Sequence, residues 1–155
     1  MKTMYRFFIY GLMGICMEIF WTGLESLLQQ NYTLRGTTYI WMVMIYGLGI
    51  FLEPIQDQLR HFNLFIRGTI YMVLIFIGEY LSGSLLQHII GSCPWNYTDA
   101  LSVHGLITLS FVPVWFIVGL IFEKIHFILD TIHFQLEPEF QKIKITHFIS
   151  RKKQL

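Results

Sequence analysis

The sequence predicts an all-α polytopic membrane protein, a bundle of four transmembrane helices with short loops and a cytoplasmic C-terminal tail. Of its 155 residues, 54% are hydrophobic and only 14% are charged, whereas a soluble domain is typically about 25% charged. The apolar residues are concentrated in four stretches, each close to the roughly 20 residues that a membrane helix needs. A formal net charge of +1 argues against a disordered chain and against a nucleic-acid partner.

The four predicted spans are joined by short, mostly polar links. They cover residues 7–28, 37–52, 68–90 and 105–122. The second is the shortest and would need an additional turn from one of its flanks to cross a membrane. Gly91 and Ser92, followed by Pro94, predict the end of the third helix. Pro113 predicts a bend in the fourth, because a proline inside a helix removes one backbone hydrogen bond.

The basic residues predict the orientation of these spans. Ten of the eleven Lys and Arg residues lie at the N-terminus, in the second link or after the fourth span, and Arg35 is the exception. Because cytoplasmic segments are enriched in basic residues, both termini should be cytoplasmic. Residues 1–123 would then form the transmembrane domain and 124–155 a tail. Its apolar face from Lys124 to Leu136 and its basic end predict an extension of span four, an interfacial helix or a solvated tail.

Two acidic residues fall near the middle of predicted membrane spans. Glu18 lies in the first span and Glu79 in the third, where an ionised carboxylate costs about 3 kcal/mol. Both should therefore face the interior of the bundle, where Tyr46 of the second span joins them. Arg35 could pair with either carboxylate if its loop dips inward. These four residues form the candidate functional core.

Several chemical states of this core are open. Two close carboxylates can share one proton, and they can also hold a cation, since hard ions prefer carboxylate oxygens. In a purely structural role they would only hydrogen-bond one helix to another.

The predicted inward face of span four consists of His104, Thr108, Trp115 and Gly119.

The loop before span four is dense in functional side chains. Four of them form a candidate outer lid over the carboxylates: Trp95, Tyr97, Asp99 and His104. The alternative is that the Trp and Tyr belong to an aromatic belt at the membrane surface. Cys93 would need His88 or His104 as a base to act as a nucleophile, which is a weak signal. No metal-binding Cys or His spacing and no cofactor motif is present, and the sequence identifies no catalytic residue.

A series of short motifs runs in order along about residues 11–124. These are CME at 16–18, RG at 35–36, IYG at 45–47, GEYLSG at 78–83, CPWNY at 93–97, GLITL at 105–109 and PVWF at 113–116. In order and spacing they resemble the CmpB-type putative ABC-transporter permease family, and most closely its animal relatives, the transmembrane protein 229 family. The resemblance implies a permease-like role without naming a substrate. This chain has Asn96 where the family pattern has an aspartate.

Three functions remain open from the sequence. The first is a transport-related, permease-like subunit in which Glu18 and Glu79 hold a proton, a cation or a substrate. Four helices are few for a transport path, so the transport hypothesis requires a homo-oligomer or another membrane subunit. A separate ATPase chain is a possible partner, and any ATPase would have to be a separate chain because the sequence has no Walker motif. The alternatives are a membrane-embedded enzyme acting on a lipid or quinone and a structural or regulatory membrane partner.

Overall fold

The computed structural model is mostly helical and describes the backbone of residues 2–152 and the side chains of residues 3–133. Its α-helices are α1 (Lys2–Leu28), α2 (Trp41–Gly47), α3 (Glu53–Leu59), α4 (Leu64–Ile90) and α5 (Val112–Lys152). Two 3-10 helices cover Leu48–Leu52 and Leu109–Phe111. Two short strands, β1 (Ser102–Val103) and β2 (Ile107–Thr108), pair in an antiparallel hairpin. The chain divides into two compact units, Met1–Phe122 and Glu123–Leu155.

Three helical segments within the described residues are long and apolar enough to cross a membrane: Thr3–Leu28, Leu64–Ile90 and Leu109–His133. Only 22–28% of the most apolar window in each is buried. Large apolar side chains therefore point outward, among them Phe20, which is 67% exposed, and Phe65, which is 73% exposed. Such surfaces are rare on water-soluble proteins and suit a lipid environment. A mostly helical membrane protein, with three helices apolar enough to span a membrane, is thereby confirmed.

The segment predicted as the second span is broken rather than continuous. Residues 37–39 are not helical, α2 follows, and the helix then tightens to the 3-10 form over Leu48–Leu52 before α3 begins. Gly47 and Gly49 have low helix propensity, and Pro54 lies in the first turn of α3, where its missing N–H costs nothing. The described residues thus contain no continuous apolar helix of spanning length here.

This broken segment nevertheless runs antiparallel along α1. Three contacts show this, because the α1 residues come earlier in the chain as the residues of the broken segment come later. The contacts are Thr22 with Thr37, Gly14 with Tyr46 and Arg6 with Glu53. From Arg6 to Thr22 an α-helix rises about 24 Å, most of the roughly 30 Å hydrocarbon core of a bilayer. Residues 37–53 therefore accompany α1 over nearly the depth of a membrane.

Small residues on α1 allow this close approach. A Cβ atom on Gly11 would collide with the backbone carbonyl of Val43, and one on Gly14 would collide with the side chain of Tyr46. α1 and α2 pack against each other more extensively than any other pair of elements. The glycine spacing thus lets the helices pack backbone to backbone, as small residues do at membrane helix interfaces.

The ends of α4 are set by the residues flanking it. Asn63 caps the N-terminus, since its side-chain oxygen accepts a hydrogen bond of 2.9 Å from the backbone N–H of Ile66. Gly91 follows the C-terminus with a φ of 78°, a left-handed conformation that glycine adopts without strain. The predicted end of the third helix at Gly91 is confirmed, and the helix starts at Leu64 rather than at Gly68.

The start of the predicted fourth span was wrong. His104 and Gly105 have positive φ values of 54° and 69°, which a right-handed helix excludes, and Thr108 is extended and paired with Ser102. The first residues of the predicted span therefore form a β-hairpin. His104 and Thr108 do not share a helical face with Trp115.

The late start of the helix also removes the physical reason for a bend at Pro113. Because the helix starts later, Pro113 is the second residue of α5. A backbone N–H in the first turn has no intrahelical partner, so a proline there breaks no hydrogen bond.

The backbone of α5 is helical through the segment predicted as a tail. In the unit Glu123–Leu155, Ile128 and Ile132 are 48% and 46% exposed, while Ile125 is buried. The side chains of Leu136 and of the basic residues that follow lie outside the described residues. The cytoplasmic location of residues 124–155 stays a prediction.

Candidate functional site

A cavity of about 750 Å³ lies inside the unit Met1–Phe122, within the size range of small-molecule sites. Its wall comes from α1, the broken segment, α4, the loop after α4, and α5. Most of the lining is apolar or aromatic, and a few polar side chains interrupt it: Glu18, Thr22, Glu25, Thr37, Tyr46, Glu79, Asn96 and Tyr97. Three members of the predicted functional core, Glu18, Tyr46 and Glu79, thus line one cavity.

Glu79 is held by two donors from different parts of the chain. Its Oε1 accepts a hydrogen bond of 2.7 Å from the Tyr97 hydroxyl, and its Oε2 accepts one of 3.0 Å from the Trp115 indole N–H. Burial and the neighbouring Glu79 carboxylate raise the pKa of Tyr97, so its hydroxyl keeps the proton that it donates. The carboxyl group of Glu79 therefore links α4 to the loop and to α5.

Glu18 is placed differently. The hydroxyl groups of Thr38 and Tyr46 lie beside its side chain, yet its Oε2 is buried without a hydrogen-bond partner among the described residues. The two carboxyl groups are close enough to interact electrostatically, and Tyr46 interacts with both. Buried polar atoms are usually paired, so an unpaired carboxylate oxygen on a cavity wall indicates a place where a proton or a ligand would be stabilised.

Arg35 lies away from this cluster. It is exposed in the segment that leads into α2, and it is not among the residues that line the cavity. The structure therefore does not bring it to Glu18 or Glu79, and within the described residues no ion pair joins it to either.

The four residues of the predicted outer lid separate into two pairs. Trp95 and Tyr97 line the cavity, and Trp95 is fixed by a hydrogen bond of 2.9 Å from its indole N–H to the carbonyl of Leu106. Asp99 lies in the loop before the hairpin, His104 lies in the turn of the hairpin, and neither residue lines the cavity.

Asp99 and His104 make polar contacts of their own. Asp99 accepts hydrogen bonds of 2.5 Å from the Thr108 hydroxyl and 2.7 Å from the Ser110 hydroxyl, which lower the pKa of its carboxyl group. His104 Nδ1 lies 3.0 Å from the Tyr80 hydroxyl. Asp99 thus connects the loop before the hairpin to the second strand and to the 3-10 turn that precedes α5. His104 connects the turn of the hairpin to α4.

Sequence reasoning missed the aromatic wall of the cavity. Phe111 lies at its centre, with ring centroids 5.7 Å from Trp21, 5.4 Å from Tyr97 and 6.0 Å from Trp115. The sequence predicts Trp115 on the inward face of span four, but nothing in the sequence indicates that its indole N–H donates a hydrogen bond to Glu79. That contact depends on where α5 begins, which the β-hairpin decides.

Cys93 is not arranged as a reactive nucleophile. Its thiol is partly buried, and burial raises its pKa, which lowers the fraction of thiolate. Cys16 and Cys93 are both free thiols. The lowered thiolate fraction favours a structural role for Cys93 in the loop after α4.

Comparison with known proteins gives a family that agrees with a membrane location of the long apolar helices. A protein-family model described as "Putative ABC-transporter type IV", ABC_trans_CmpB, matches residues 5–150. The chain belongs to this family. It is therefore an integral membrane protein of a transport-related family, and the finer likeness to the transmembrane protein 229 family stays a prediction. No solved structure matches the chain.

The hydrogen bond from Tyr97 to Glu79 gives a first prediction. Tyr97→Phe removes only the hydroxyl group, and it should lower the free energy of opening of the loop by about 1.5–3 kcal/mol, the range for a hydrogen bond to a charged group. Hydrogen exchange of the detergent-solubilised protein measures this as faster exchange in residues 92–101. Tyr32→Phe is the matched control, because Tyr32 is 80% exposed. Unchanged exchange in the Tyr97 variant would contradict the assigned contact.

Proposed function

We propose that this chain is the membrane subunit of a transport system and that Glu18 and Glu79 are its ligand-holding carboxylates. One observation carries the proposal: two carboxyl groups from different long helices lie on the wall of one cavity inside the bundle. Acidic groups are rare in membrane helices and commonly mark substrate, ion or proton pathways. The family to which the chain belongs supports a transport role.

The broken second segment also supports this function. Thr37 and Tyr39, where the chain is not yet helical, line the cavity together with residues of α2. In many secondary transporters, substrate and ions bind where a membrane helix is interrupted, because exposed backbone groups and side chains meet there. Non-helical backbone at membrane depth is tolerated where it borders such a cavity.

We infer from the same segment that the chain crosses the membrane four times. Residues 37–53 accompany α1 over nearly the membrane depth, and so they provide a crossing between α1 and α4. An even number of crossings places both termini on one side, and the distribution of Lys and Arg makes that side the cytoplasm.

The crossing number has a direct test. A small reporter peptide attached to either terminus should be accessible to antibody only after the cell membrane is permeabilised. If the broken segment did not cross, the three remaining spans would place the termini on opposite sides. Labelling of one terminus on intact cells would then contradict the four-crossing arrangement. A reporter inserted after Tyr32, in the exposed first link, is the control that should label without permeabilisation.

A transport subunit of this kind needs an energy source outside the chain. The sequence has no Walker motif, so ATP binding would belong to a separate ATPase chain. Purification of the protein from its own cells in mild detergent, followed by mass spectrometry, should therefore recover a stoichiometric partner with an ATP-binding sequence. Recovery of self-oligomers only, under conditions that keep membrane complexes intact, would contradict an ATP-driven complex.

A further inference from the structure

We propose that the cavity binds a hydrophobic organic cation, with a positive centre held by Glu18 and Glu79 and apolar groups held by the aromatic wall. The inference rests on the proposed function in that it names the ligand class of the same cavity. It stands on the charge, the aromatic lining and the size of the cavity.

The charge of the lining is of one sign. Three carboxyl groups line the cavity, from Glu18, Glu25 and Glu79, while no Lys, Arg or His does among the side chains that the structure describes. The donors that reach Glu79 are the neutral Tyr97 hydroxyl and the Trp115 indole. These donors orient a carboxylate without neutralising it. A cation supplies the missing positive charge, and an anion would meet only repulsion.

The aromatic rings suit a cation that is itself apolar. Trp21, Tyr97 and Trp115 surround Phe111 at ring distances of 5.4–6.0 Å, and Tyr46 and Trp95 add further rings to the lining. The face of an aromatic ring attracts a cation, and binding of quaternary ammonium groups in aromatic cages uses this attraction. A small, strongly hydrated metal ion would gain nothing from these rings, since it prefers oxygen ligands.

The size and the route of entry agree with this class of ligand. A volume of about 750 Å³ far exceeds what a single metal ion needs and accommodates a drug-sized molecule. Glu25 and Trp21 line the cavity and are also exposed, on the part of α1 nearest the first link. They would attract a cation before it reaches Glu18. A zwitterionic phospholipid fits poorly, because the described lining offers no basic group for its phosphate.

The test compares two ions of the same shape and opposite charge. Tetraphenylphosphonium and tetraphenylborate are equally bulky and apolar, so only charge distinguishes them. Equilibrium dialysis of the full chain in maltoside micelles, against micelles without protein, should show saturable binding of tetraphenylphosphonium and none of tetraphenylborate. Dodecyltrimethylammonium should displace the bound cation, and dodecylphosphocholine at the same concentration should not. Equal binding of the two tetraphenyl ions would overturn the proposal.

Variants then locate the binding. Glu18→Gln and Glu79→Gln should each weaken tetraphenylphosphonium binding by about tenfold or more, because each removes one charge at a partly desolvated site. Asp57→Asn is the matched control: it removes an exposed carboxylate on α3 that lies outside the cavity and pairs with Arg60. Unchanged affinity in both Glu variants, with the fold retained by size-exclusion chromatography, would overturn the assignment to this cavity. Comparison of the two tetraphenyl ions on the unmodified protein needs no variant to fold.

The two proposals can fail separately. If an ATPase chain co-purifies and neither tetraphenyl ion binds, the transport role stands and the organic-cation ligand is wrong. If tetraphenylphosphonium binds selectively and no ATPase co-purifies, the ligand class stands and ATP-driven transport is wrong.

Discussion

The arrangement of the cavity depends on the carboxyl group of Glu79. It sits near the middle of α4 and accepts one hydrogen bond from Tyr97 and one from Trp115. A buried carboxyl group must be hydrogen-bonded if its desolvation is to be offset. Glu79 therefore fixes where the loop and the last helix lie relative to α4. With α1 and the broken segment on the other side, these elements enclose the cavity.

The two carboxyl groups differ in a way that matters for chemistry. Glu79 has both oxygens satisfied, whereas Glu18 leaves Oε2 unpaired among the described residues. In the proposed site, the protein would hold one carboxyl group in place and the other would accept a ligand or a proton. Carboxyl groups in unlike environments commonly take different chemical roles. A transport site needs both, because a ligand has to be held and also released.

The outline of the fold could be predicted from composition and periodicity, since long apolar stretches with glycine boundaries identify membrane helices almost by length alone. Glu18, Glu79 and Tyr46 were also predicted, because polar residues at mid-span must face inward. The errors arose where local backbone conformation overrides hydropathy. Residues 105–108 are apolar enough to continue a helix, yet the positive φ values at His104 and Gly105 turn them into a hairpin. Partners such as Trp115 with Glu79 are 36 residues apart, and hydropathy carries no information on such contacts.

The central claim is that Glu18 and Glu79 face the same cavity inside the membrane. It can be tested by replacing both with cysteine in a chain carrying Cys16→Ala and Cys93→Ala, then treating native membranes with a short bis-methanethiosulfonate. If the two side chains share one cavity, an intramolecular cross-link should form between positions 18 and 79 and hold the two fragments together after protease cleavage in the second link. A pair of Glu18→Cys with Leu81→Cys should not cross-link, because Leu81 is 61% exposed on the outer surface of α4. Cross-linking of position 18 to position 81 but not to position 79 would show that Glu18 and Glu79 do not face one cavity.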